Sequence, residues 1–223
     1  MKNTAKLLLI PAVLACAAAA QAQTAGTWMV RGGATTITPN VNSGDLSAPS
    51  LAGTKASINS STKVSGGITY MLDNNISIDV PLSVPFQHDI SGDGAVAGAG
   101  KIADVKALPA TVLAQWRFME PSSAFRPYIG AGITYAAFYG ARSTSTLTAI
   151  TGGSPSNPTT LSIDSKWAAT VQVGGSLAIN SNWFVDANYT YTPLSTRTTL
   201  STGQTQDIRL DPSSVSLTVG YKF

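Results

Sequence analysis

In 223 residues the chain has one cysteine, one histidine and one glutamate, and only 11% of its residues are charged. A typical soluble domain carries about 25%. The cysteine, Cys16, falls in a stretch that reads as a removable leader, so the mature protein has no thiol for a disulfide or a metal site. His88 is alone, and offers one ligand where zinc takes three or four. No Gly-rich phosphate loop, Cys/His cluster or basic stripe with stacking aromatics occurs, so no nucleotide, metal, cofactor or nucleic-acid function is expected. Past the N-terminus, no run approaches the roughly 18 apolar residues of a spanning helix. What is present is an ordinary 43% of hydrophobic residues, with 20 glycines and many Ser, Thr and Asn. Few charges with ordinary hydrophobicity fit a membrane β-barrel better than a soluble enzyme.

The leader has the layout of a secretory signal peptide. Lys2 and Lys6 supply the positive region, residues 7–20 the apolar core, and Ala20-Gln21-Ala22 a small-x-small cleavage site. Residues 1–22 are therefore expected to be removed after Ala22, leaving 23–223 as the barrel. Val13-Leu14-Ala15-Cys16 is a weaker, lipoprotein-like alternative. Loss of Lys2 and Lys6 leaves 12 basic against 11 acidic residues, a net charge near +1. The basic pI therefore gives no argument for nucleic acid or anionic lipid.

The last nine residues show the pattern that repeats upstream. Val215, Leu217, Val219, Tyr221 and Phe223 share one parity, and Ser216, Thr218, Gly220 and Lys222 the other. Successive side chains of a strand point to opposite faces, so one face is apolar and the other small and polar. The same alternation runs through 27–37, 64–70, 76–82, 112–118, 128–135, 167–177 and 183–191. Short turns such as Asp73-Asn74-Asn75 and Asn180-Ser181-Asn182 alternate with four long stretches, 38–62, 84–108, 136–165 and 192–213, which read as loops.

Arg31, Lys63, Asp79, Arg117, Asp186 and Lys222 all share the polar parity, and no charge falls on the apolar one. A lipid-facing surface demands this, because Lys or Arg at the bilayer midplane costs about 2–4 kcal/mol. The expected fold is therefore all-β: an eight-stranded antiparallel transmembrane β-barrel with long extracellular loops and short periplasmic turns. Eight strands enclose room for side chains or one small ligand, which excludes a wide pore. Inside, the six charges are expected to pair in part. Trp28, Tyr70, Trp116, Trp183, Tyr191, Tyr221 and Phe223 fall where interfacial girdles lie.

Several stretches resemble the OmpW family of outer-membrane proteins, which includes the AlkL-type hydrocarbon-uptake proteins. They include GTWMVRGGATTITP at 26–39, SGGITYMLDNNISIDV at 65–80, PFQH at 85–88, FRPYIGAGITYAAFY at 125–139 and the terminal VGYKF. The resemblance implies a barrel that extends beyond the outer membrane of a Gram-negative bacterium. It also implies a narrow apolar channel for small hydrophobic molecules, with sideways exit through the wall. Outer-membrane lipids, lipopolysaccharide, small hydrophobic ligands and, at the C-terminal strand, the assembly machinery are the expected partners. Pro81 and Pro85, with Pro109 on the next strand, are candidates for breaking the ladder there, since proline has no donor. Phe86, Ile90, Leu108, Phe138 and Tyr139, near the outer rim, are candidates for the channel lining. Trp167 joins them as a constriction if a bulge turns it inward, whereas strict alternation faces it to lipid. The competing readings are a closed structural or surface-recognition barrel, and a lipid-modifying enzyme that would need His88 beside a serine nucleophile.

Overall fold

The computed structural model describes residues 23–223; the expected signal peptide, with Cys16, lies outside the described residues. In chain order the elements are β1 (Trp28–Thr38), β2 (Asn42–Ser43), β3 (Thr54–Ile58), β4 (Ser61–Met71), β5 (Ile76–Ser83), β6 (Phe86–Gly94), β7 (Lys101–Arg117) and β8 (Phe125–Ser143). There follow α1 (Ser145–Ile150), β9 (Leu161–Ile163), β10 (Lys166–Ala178), β11 (Trp183–Tyr191), β12 (Ser195–Leu200), β13 (Thr205–Arg209) and β14 (Ser213–Lys222).

Antiparallel pairing runs β1–β4–β5–β7–β8–β10–β11–β14 and returns to β1, closing an eight-stranded barrel. Closure pairs the sheet edges that would otherwise meet the bilayer, where an unpaired backbone group has no water to bond. The third wall strand is made of two pieces, β5 and β6, separated at Val84-Pro85. Short turns are pinned by side chains. Asp73 Oδ1 accepts from the backbone N–H groups of Asn75 (2.6 Å) and Ile76 (3.3 Å). Asn180 Oδ1 does the same for Asn182 and Trp183. These are the Asx turns that such residues favour.

Alternation sorts the side chains as the sequence predicts. Val30, Ile68, Val112, Ile129, Ile133, Val171, Val173, Leu217 and Val219 are exposed on the outer wall, while Arg31, Thr69, Asp79, Gln115, Arg117, Tyr128 and Asp186 are buried inside. Trp28 packs on Tyr70, and Tyr221 on Trp183 and Phe223, at the short-turn end. Tyr135 packs on Trp167 at the other. Phe125 to Tyr135 is about 33 Å of strand, or about 25 Å of height at a ~40° tilt, matching the apolar band of an outer-membrane barrel.

The four stretches expected as loops are largely folded. Strands β7 and β8 have 17 and 19 residues, well beyond the 9–11 a bilayer needs, so the wall continues above the Tyr135 ring. Strand β3 pairs with β6, and β2, β13, β12 and β9 form a second, four-stranded sheet. Two apolar clusters fix this upper part: one built on Ile90, Ile102, Val105, Leu147 and Leu200, the other on Ala136, Leu194, Ile208 and Leu210. Above the membrane neither face of a strand meets lipid, so the period-two hydrophobic signal disappears although the strands go on.

Candidate functional site

The floor of the lumen is closed by packing. Met29, Met71 and Phe184 form a buried cluster, and Phe184 lies so close to Gly220 that a Cβ there would sit 2.2 Å from the ring. Gln23 seats beside it: its Nε2 donates to Ser176 Oγ (3.1 Å), and its Oε1 accepts from Arg117 (3.3 Å) and Arg126 (3.4 Å). Arg126, fully buried, also donates to the backbone oxygens of Gln23 and Asn74 at 3.0 and 2.7 Å.

A polar layer lies above. Arg31 grips Asp79 in a fork, with Nη1–Oδ1 at 2.7 Å and Nη2–Oδ2 at 2.8 Å, and Thr69 donates to the same carboxylate. Arg117 meets no carboxylate. Its guanidinium donates to Ser77 and Gln115 and lies 4.7 Å from the ring centre of Tyr128. Of the partial pairing expected among the six charges, Arg31 with Asp79 is one ion pair, while Asp186 accepts from the Tyr128 hydroxyl (3.0 and 3.1 Å) and from Asn188. Hydrogen bonds to uncharged donors satisfy it instead. Lys222 is buried and Lys63 half-buried, both on the inward parity. Sequence reasoning passed over Arg126 and Tyr128, whose even numbering in β8, beside Gly130 and Gly132, was the available signal. Replacing Tyr128 by Phe is expected to cost about 1–3 kcal/mol by removing a donor to a buried carboxylate. Unfolding of the variant in lipid vesicles measures it; an unchanged midpoint would refute the role given to this hydroxyl.

Over this layer a cavity of ≈ 110 Å³ opens, floored by Arg31 and walled by Thr35, Ser65, Thr111, Thr134 and Ser216. Their hydroxyls bond to one another: Thr35 to Ser65 and Ser216 (both 2.7 Å), and Thr111 to Thr134 to Thr170 to Thr192 (2.8, 2.6 and 3.0 Å). On one side the wall is incomplete. Strand β5 pairs with β7 only from Ile76↔Trp116 to Asp79↔Leu113, and pairing resumes at Phe86↔Ala107. Residues 80–85 thus face 108–112 with no ladder between them. Pro81 and Pro109 border this stretch and line the cavity; Pro85 lies in the break between β5 and β6. Leu82, on the outward parity and 50% exposed, is also among the residues that line the cavity.

A second cavity of ≈ 80 Å³ lies above, lined almost wholly by apolar groups, among them Ile58, Ile90, Val105, Phe138, Ile163 and Ile208. The two cavities share Ile37, Pro109, Ala136, Leu194 and Pro212, a ring of apolar side chains between them. Among the channel candidates, Phe86 lines the lower cavity and Ile90 and Phe138 the upper. Leu108, Tyr139 and Trp167 line neither. Each lies one position from an inward residue and so points out: Leu108 between Ala107 and Pro109, Tyr139 beside Phe138 and opposite Lys106. Trp167, 68% exposed, stacks on Tyr135 in the outer girdle.

His88, on β6 above the Tyr135 ring, is 4% exposed and lines the upper cavity, with Nδ1 2.8 Å from the backbone oxygen of Asn59. No serine hydroxyl bonds it. Burial holds the imidazole below the ordinary histidine value, against the opposing pull of the Asn59 hydrogen bond. At the outer rim Lys101 sits between Asp89 (2.7 Å) and Asp104 (3.2 Å), and these hydrogen bonds raise its pKa.

The OmpW family model matches residues 24–223. Outer membrane protein W of Vibrio cholerae is 31% identical over 227 residues, covering all of both chains. The Escherichia coli protein of the same name is 33% identical over 205 residues, 91% of each chain. Among solved structures, the outer membrane protein OprG from Pseudomonas aeruginosa superposes with a TM-score of 0.81 at 28% identity, covering 92% of this chain and 99% of that one.

Proposed function

Because the chain belongs to the OmpW family and is an outer-membrane barrel of a Gram-negative bacterium, we propose that it is a passive conduit for small hydrophobic molecules. Molecules enter from outside into the upper cavity, pass the apolar ring and leave sideways between β5 and β7. The observation that carries this reading is that the lower cavity is lined by the half-exposed Leu82, at the place where residues 80–85 and 108–112 form no ladder with each other. An exit there lies beside Val112 and Leu82, both exposed on the outer wall, so an apolar molecule leaves the lower cavity against apolar side chains. Directly below, the packed Met29, Met71 and Phe184 cluster and the Gln23 seat oppose passage into the periplasm. Transport is downhill, with apolar burial supplying transient binding at about 25 cal/mol per Å². No step of it requires a catalytic group.

Phe86, 1% exposed where the third strand resumes, borders the lower cavity. Phe86→Asp puts a carboxylate on the path, and uptake of a small hydrophobic probe by cells is expected to fall about tenfold or more, since an unpaired charge there shifts the local environment by several kcal/mol. Assembly in the outer membrane is checked by heat-dependent gel mobility. Uptake that equals wild type in the assembled variant would move the reading to a closed surface barrel.

A further inference from the structure

The upper cavity is apolar except for three side chains, His88, Thr196 and Thr198. The Thr196 hydroxyl is committed, donating to the backbone oxygen of Asp164 at 2.6 Å. The Thr198 hydroxyl rotates and serves as donor or acceptor alike, so it cannot tell one ligand chemistry from another. His88 can. The partner of its Nδ1 is a carbonyl oxygen, which only accepts, so Nδ1 carries the hydrogen. In the neutral ring Nε2 is then a lone-pair acceptor. Lys63 opposes a second positive charge at this place. Asp89, bound to Lys101 at 2.7 Å, pulls the other way, but burial is the larger effect and favours the neutral ring. Nε2 makes no hydrogen bond among the described residues, and His88 lines the cavity.

We propose that the upper cavity selects small hydrophobic molecules bearing one hydrogen-bond donor, a hydroxyl or a ring N–H, and that His88 Nε2 accepts that hydrogen. This rests on the conduit reading and narrows its substrate class from hydrocarbons in general to singly polar ones. A hydrocarbon seated in this cavity leaves the acceptor without a partner, whereas its hydroxylated counterpart supplies one. Below the ring the mutually bonded Thr and Ser hydroxyls offer the same group new partners.

Phenol and toluene test it, being nearly the same shape and differing in a hydroxyl against a methyl. With ¹⁵N-labelled protein in lipid nanodiscs, both are expected to shift signals of Ile90 and Phe138, and phenol alone to shift His88 Nε2. Shifts at Ile90 and Phe138 by both probes with Nε2 unmoved would overturn the selection by His88 and leave the conduit standing. No shift by either probe would overturn the conduit reading and this one together. In cells, His88→Phe is expected to lower phenol uptake roughly five- to tenfold relative to toluene uptake, the worth of one hydrogen bond. An equal fall for both probes would mean that His88 only shapes the cavity.

Discussion

Asp79→Ala is expected to destabilise the barrel by about 3–5 kcal/mol, the usual consequence of leaving one member of a buried ion pair behind. Asp79 is 0% exposed and takes both guanidinium nitrogens of Arg31 together with the Thr69 hydroxyl. Its removal strands a cation on the lumen side of a wall whose other side is lipid. Gly67 leaves the room the guanidinium occupies; a Cβ there would lie 2.6 Å from Nη2. Urea unfolding in lipid vesicles gives the magnitude. The paired change Arg31→Met with Asp79→Leu separates the charge effect from lost packing, and should recover most of the loss, since apolar pairs of similar volume replace buried ion pairs at little cost. A double variant as unstable as Asp79→Ala would point to packing rather than charge.

Ala136→Trp is expected to bring uptake of a small hydrophobic probe down to the level of cells without the protein. Ala136 is 8% exposed and belongs to the ring of five residues shared by the two cavities. An indole there fills the space inside the ring shared by the two cavities, while Ala136 pairs with Lys166 and Pro109 through its backbone. The barrel should therefore still assemble. The contrast is Trp167→Leu, which thins the outer girdle and touches neither cavity, and should leave uptake unchanged. Residual uptake above background in assembled Ala136→Trp would place the route elsewhere.

The membrane part of this fold was readable residue by residue. Val215, Leu217 and Val219 announce a strand with one lipid face, and Arg31 and Asp79 fall on the same inner parity. Their pairing follows from register, with Arg31 opposite Gly67 and Asp79 opposite Thr69 on the strand between them. The contact of Tyr128 with Asp186 was not readable, because it joins residues 58 apart across strands that only the closed barrel brings together. The upper wall was not readable either. Along Lys106, Ala107, Leu108 and Pro109 hydrophobicity no longer follows parity, since the lumen there is apolar and the outside is no longer lipid. For this reason Leu108 and Tyr139 line neither cavity, whereas Phe86, Ile90 and Phe138, on the inward parity, each line one.

The ring of hydroxyls around the lower cavity bears on speed rather than affinity. Each bond from Thr35 to Ser65 and Ser216, or along Thr111, Thr134, Thr170 and Thr192, can run in either direction. A solute with one polar group can therefore trade partners one for one as it descends, and every hydroxyl it releases finds a neighbour again. Such a wall has no deep trap and no steep barrier. Throughput in a gradient-driven pore depends on weak, repeated, multi-site binding, and for the proposed conduit this belt acts as a molecular lubricant whose residence times should be short and nearly independent of the solute's shape.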